Sequence, residues 1–120
     1  MDDFKIIARL LAAIYAINEK GQMNVALVDP RVLRTTAEKR DNIALMLESE
    51  GYIAGLRKIE GIDGQEKTII LWEHSMPNIT IKGLEYMDSN DALKKAVQEM
   101  KDAAISLAAQ TVSNIILTKM

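Results

Sequence analysis

The chain has 120 residues, 48% of them hydrophobic and 27% charged, with 15 basic against 17 acidic side chains and no cysteine. That length suits one ordinary domain with enough buried surface for a core, and the composition is globular rather than disordered. A formal charge of −2 excludes a bulk electrostatic pull toward nucleic acid or anionic lipid, and the absence of cysteine excludes disulfides and thiolate metal sites.

The first segment, MDDFKIIARLLAAIYAINEKG, carries two acids where a signal peptide carries cations, and Lys5 and Arg9 interrupt its apolar run. It reads as a folded helix over about Asp3–Lys20, closed by Gly21 where a left-handed cap costs least. Phe4, Ile7, Leu11, Ile14 and Asn18 form one stripe, and Ile6, Leu10, Ala13 and Ile17 a second, so the helix is expected to be covered on two sides. Asp29-Pro30 offers an N-cap followed by proline at the first helical position, which predicts a brief second helix to Leu33 or Arg34. Thr35-Thr36-Ala37-Glu38 has capping-box spacing, with Thr35 and Glu38 each bonding to the other's backbone. A third helix is therefore predicted from about Thr36 to Glu50, stopped by Gly51.

Two strands follow, Tyr52–Ile59 and Lys67–Trp72, joined across Asp63-Gly64, a dipeptide that tolerates positive φ in a hairpin turn. Thr80 is placed to cap a fourth helix. After Asp88-Ser89-Asn90 a last helix is predicted from about Asp91 to Leu117. No repeat or linker interrupts the chain, so residues 1–120 are read as one domain with 90–118 as a helical extension. Ala103–Thr118 is uncharged, but its 16 residues include Gln110, Thr111, Ser113 and Asn114, which argues against a membrane span. The expectation is a cytoplasmic protein without a membrane partner.

Helix, short helix, helix and hairpin is the order of a winged helix-turn-helix, with the hairpin as the wing and Tyr52 and Ile53 anchoring it under the third helix. The expected fold class is α+β, mostly α, with a two-stranded or three-stranded wing sheet and a long C-terminal helix. The run LESEGYIAG, followed past the hairpin by ITIKGLEYM, also resembles the helix–EGYI–wing–LTxKGxxYL pattern of the YjcQ-like family, small bacterial and prophage proteins. The resemblance covers about Phe4–Ala103 and implies a winged-helix fold. Glu50, Gly51, Tyr52 and Ile53 match the helix-to-wing junction, and Thr80, Lys82, Gly83 and Tyr86 match the helix after the wing. No catalytic activity comes with the family, and the uncharged stretch after Ala103 is longer than its pattern requires.

A winged helix lays its third helix in the major groove and its wing along phosphates. Arg34, Thr36, Lys39 and Arg40 around the helix start, with Arg57, Lys58 and Lys67 on the hairpin, are the candidate double-stranded DNA contacts, and Arg31 lies beside them. A wheel of about 100° per residue argues the other way. It turns Ala37, Ile43, Ala44 and Leu47 inward and exposes Glu38, Asp41, Asn42, Leu45, Glu48 and Ser49, an acidic face that would repel phosphate. Exposed Leu45 framed by acids supports the alternative, a protein-docking module for a basic partner with no nucleic-acid role.

In the last helix Leu93, Val97, Met100, Ala104, Leu107, Thr111 and Asn114 alternate spacings of four and three, a coiled-coil-like seam with Ile115 beside it. Helix one offers cover for one side of this surface within the chain and a second copy for the other, which with Ile6 and Leu10 predicts a homodimer; the alternative is that the helix completes a monomeric core. No catalytic group, metal ligand or cofactor site is visible. His74, the one histidine, has no triad or metal partner at a recognisable spacing, and Glu48 and Glu50 stand two apart on a helix. Gly61 and Gly64 belong to a turn rather than a phosphate loop. Met46, Met87, Met100 and Trp72 read as core.

Overall fold

A computed structural model of the chain describes residues 3–61 and 67–100. The fold is α+β and mostly helical. Helix α1 (Asp3–Lys20) is followed by a single 3-10 turn (Val25–Val28), then α2 (Pro30–Leu33) and α3 (Ala37–Ser49). Four two-residue strands come next, β1 (Ile53–Ala54), β2 (Lys58–Ile59), β3 (Ile69–Ile70) and β4 (Asn78–Ile79), and then α4 (Ile81–Ser89). A fifth helix, α5, is described over residues 91–100.

Helix α1 is the axis of the core. Ile6, Ala8 and an unbroken run from Leu10 to Ile14 are buried, with Ala16 and Ile17. Alanines at 8, 12, 13 and 16 let neighbouring backbones come close, which is why burial extends past two stripes. Phe4 and Asn18, expected on the first stripe, stay exposed at the two ends of the helix. Asn18 nevertheless works structurally: its amide donates to the Pro77 carbonyl at 2.8 Å and accepts from the Ile79 N–H at 3.3 Å. Gly21 closes the helix at φ 66°, as its position predicts.

Local signals place most of the remaining ends. The Asp29 carboxylate caps α2 through the Arg31 N–H at 2.8 Å, and Thr80 caps α4 through the Gly83 N–H at 3.0 Å. Asn90 accepts from the Leu93 N–H at 3.1 Å and starts α5. The capping box is corrected by one residue. Thr36, not Thr35, caps α3 by accepting from the Lys39 N–H at 3.1 Å. Arg34 adopts a left-handed conformation (φ 59°), and the Thr35 N–H still bonds back to Pro30, so Thr35 belongs to the turn that closes α2.

The wing sheet is also corrected. The expected strand Tyr52–Ile59 breaks at Gly55, whose φ is 89°. Its first half pairs antiparallel with β4, Ile53 opposite Ile79, and its second half with β3, Lys58 opposite Ile70. Trp72, expected as the last residue of the second strand, lies beyond β3 and begins a 3-10 turn, Trp72–His74. One hairpin sheet has become two small ones, and the Asp63-Gly64 turn lies outside the described residues.

The homodimer residues read from the sequence meet a direct obstacle. Ile6, Leu10, Leu93 and Val97 are at most 3% exposed within the single chain and belong to one core cluster, so these four offer no surface to a second copy. Met100 is half-buried, while Ala104, Leu107 and Ile115 lie outside the described residues. No helix among the described residues is long and apolar enough to cross a membrane.

Candidate nucleic-acid interface

Helix α3 has three faces rather than two. Ile43, Ala44 and Leu47 enter the core, as the wheel predicts, but Ala37 is exposed. A second covered face carries Asp41, Leu45 and Glu48, spaced i, i+4 and i+7 and turned to the hairpin. Leu45 packs against the core and is not the exposed leucine expected. The open face holds Glu38, Lys39, Asn42, Met46 and Ser49, with the Thr36 cap at its start. Met46, expected in the core, is 48% exposed. This face borders a groove of about 480 Å³ whose lining includes Asp3, Thr36, Lys39, Asn42 and Met46.

Turning Asp41 and Glu48 inward changes the electrostatics. The Asp41 carboxylate accepts from the Trp72 indole N–H and from Arg40 Nε, both at 2.9 Å. Arg40 also donates to the Val28 carbonyl at 2.9 Å and lies 5.1 Å from the Trp72 ring centre, a cation–π contact. Glu48 accepts from the Lys58 ammonium and from the Leu56 N–H. The hydrogen bond to Glu48 raises the Lys58 ammonium above the usual lysine range. Both acids are thus neutralised within the fold, and the open face of α3 carries one acid and one base.

The expected DNA contacts separate into groups. Arg34, Arg57 and Lys67 are exposed and form no ion pair with a described residue. Lys39 is paired with Asp3 at 2.7 Å and Lys58 with Glu48, each partly exposed. Arg40 has a side chain only 13% exposed and is held on three sides, so it joins α3 to the hairpin rather than facing a groove. Arg34 stands at the start of α3 and Lys58 near its end; the thirteen residues of helix between them span about 20 Å. The cations therefore form two stations, not one patch. Arg31 is taken up by Asp29, whose carboxyl that pair lowers to about 2.

On the hairpin, directly opposed residues share a face. Lys58 and Ile70 turn toward α3, while Ile59 and Ile69 point outward and are roughly 40% exposed. Buried Ser75, which no motif marks, holds the hairpin's base by accepting from the Arg57 N–H at 2.9 Å and donating to the Leu71 carbonyl at 2.8 Å.

Trp72 is the chain's one tryptophan and sits at the α3–hairpin contact, so its emission reports that contact directly. Asp41→Ala leaves the buried indole N–H without its acceptor and removes the carboxylate that pairs with Arg40 Nε. The expected cost is about 2 kcal/mol, read by urea denaturation, with a red-shifted native emission. A loss below about 0.5 kcal/mol, the range of an ordinary surface substitution, would show that Asp41 does not hold the hairpin.

The sequence profile of the YjcQ protein family matches residues 4–104, most of the chain. The chain belongs to the YjcQ family. No curated protein and no solved structure matches it. The matched span contains α3 and both small sheets, and the two stretches that carry the family pattern meet in space. The Thr80 hydroxyl donates to the Gly51 carbonyl at 2.5 Å, and the Tyr52 and Tyr86 rings stack at 4.3 Å and 14°. Lys82 lies 5.4 Å from the Tyr52 ring centre, and Gly83 lets α4 cross the Tyr52 backbone. The family motif is thus the joint that fixes α4 against β1.

Proposed function

We propose that this YjcQ-family chain is a non-catalytic winged-helix protein that binds double-stranded DNA, a small cytoplasmic regulator of the bacterial or prophage type, with α3 as the reader helix and the β2–β3 hairpin as the wing. The observation that carries this reading is the inward turn of Asp41 and Glu48. It removes the acidic face that would have repelled phosphate and leaves an open helix face close to neutral, with Arg34 at one end and Arg57 and Lys67 on the wing. The cations contact phosphates and set position rather than sequence.

In titrations of random duplex from low salt upward, the double substitution Arg57→Ala, Lys67→Ala is expected to lower the slope of log affinity against log salt by about 1.8, since each phosphate contact contributes about 0.9. An unchanged slope removes the wing from the interface. Failure of the unaltered protein to retain any duplex at micromolar concentration removes DNA binding altogether.

The alternative is a docking module without a nucleic-acid role. Leu45 no longer supports it, being packed on the core, but α4 does. Ile81 is 77% and Leu84 49% exposed on one side of that helix, next to Glu85 and Asp88. If duplex binding is absent, that face is where a partner is to be sought.

A further inference from the structure

Asparagine is a poor helix former, because its amide competes for backbone hydrogen bonds, so an asparagine inside a helix calls for an explanation. Five asparagines fall among the described residues, and four hold backbone in place. Asn18 joins α1 to the segment 77–79, Asn24 caps the 3-10 turn, Asn78 reaches the Ala54 carbonyl and Asn90 caps α5. Asn42 does none of this. It sits in the middle of α3, is exposed, and its side chain makes no hydrogen bond with any described group.

Its neighbours sharpen the point. Asn42 lies at the centre of the open face, between the Thr36 cap and Met46, and lines the groove they share. Lys39, one turn before it, is held by Asp3, so the amide is the one uncommitted donor–acceptor pair at the middle of that face. A carboxamide offers an N–H and a carbonyl side by side, the complement of adenine's N7 acceptor and N6 amino donor in the major groove. Met46, apolar and exposed one turn later, suits contact with the methyl of a thymine.

We infer that Asn42 is the base-reading residue of α3, specifying an adenine in duplex DNA, with Met46 against an adjacent thymine methyl. The inference rests on the DNA-binding reading above and adds to it the residue that sets sequence preference. Phosphate contacts cannot supply that preference.

The test is selection from a random-sequence duplex pool with the unaltered protein, Asn42→Ala and Met46→Ala. The unaltered protein is expected to enrich a site with one position fixed as adenine. Asn42→Ala should keep its salt dependence and lose roughly 10- to 100-fold discrimination at that position alone, as expected for one good bidentate contact. Met46→Ala should relax a neighbouring thymine. Folding is monitored in parallel, and Asn42→Ala is expected to melt no lower than the unaltered chain, because alanine is the better helix former. If the unaltered protein retains no duplex, the DNA-binding reading falls and this inference with it. If it selects a site that Asn42→Ala selects equally well, or if the Asn42-dependent position is not adenine, only the assignment of Asn42 is overturned. Loss of all binding by folded Asn42→Ala also overturns it, since a reader of one base does not carry general affinity.

Discussion

Gly55→Ala is expected to be among the most damaging single substitutions in this chain, costing about 2–6 kcal/mol. Two effects add at this position. Gly55 has φ 89°, outside the range comfortable for a side chain, and a strained backbone of that kind costs about 1–3 kcal/mol. A Cβ there would also stand 3.0 Å from the Met76 carbonyl carbon, closer still to its oxygen, and 3.2 Å from the Asn78 amide nitrogen. Crowding against backbone adds another 1–3 kcal/mol or so, because backbone cannot rotate aside as a side chain can. Gly21 is the control. It too has positive φ (66°), but an added Cβ there meets nothing within 4 Å, so Gly21→Ala should cost only about 1 kcal/mol. Urea midpoints for the two variants separate strain from collision. Equal losses would mean that the segment 76–78 does not lie against Gly55 as described.

Gly83→Ala poses a contest of signs. In an ordinary helix interior, alanine would gain up to about 1 kcal/mol over glycine. Here a Cβ would lie 2.9 Å from Ile79 Cγ2 and 3.0 Å from the Tyr52 carbonyl carbon, with the carbonyl oxygen nearer. Relief requires α4 to lift from β1, which disturbs the Tyr52–Tyr86 stack and the Thr80–Gly51 hydrogen bond together. The collision wins, and a net loss of about 2–3 kcal/mol is expected. A thermal midpoint at or above that of the unaltered protein would show that α4 does not approach β1 so closely. Against a total stability of about 5–15 kcal/mol, either glycine substitution removes a large share.

These glycines also mark how far sequence reasoning reaches. Gly83 lies in a recognisable motif, yet the spacing of Thr80, Gly83 and Tyr86 says nothing of what the glycine must clear. Gly55 looks like an ordinary residue within an apolar strand. Its positive φ follows from β1 leaving for β4, more than twenty residues away, while β2 stays with the nearer β3. The DNA candidates show the same divide. Arg34, Arg57 and Lys67 read as surface cations along the chain and are exposed in the fold. Arg40 reads the same way along the chain, but Asp41, Val28 and Trp72 converge on it from three elements.

What the sequence by itself determined is local. Helix ends at Gly21, Asp29-Pro30, Thr80 and Asn90 follow from hydrogen-bonding groups within a few residues, and the apolar faces of α1, α3 and α5 follow from their period. The tertiary structure decided what covers each face. A helical wheel has one boundary between inside and outside, whereas α3 is covered by the core on one side and by the hairpin on another. Asp41, Leu45 and Glu48 consequently exchanged places with Met46, and Asn42 kept the centre of the open side. Leu93 and Val97 likewise needed apolar cover, and the core of the same chain supplied it. Periodicity states that a face must be buried, but the burying surface comes from distant sequence and only three-dimensional packing selects it.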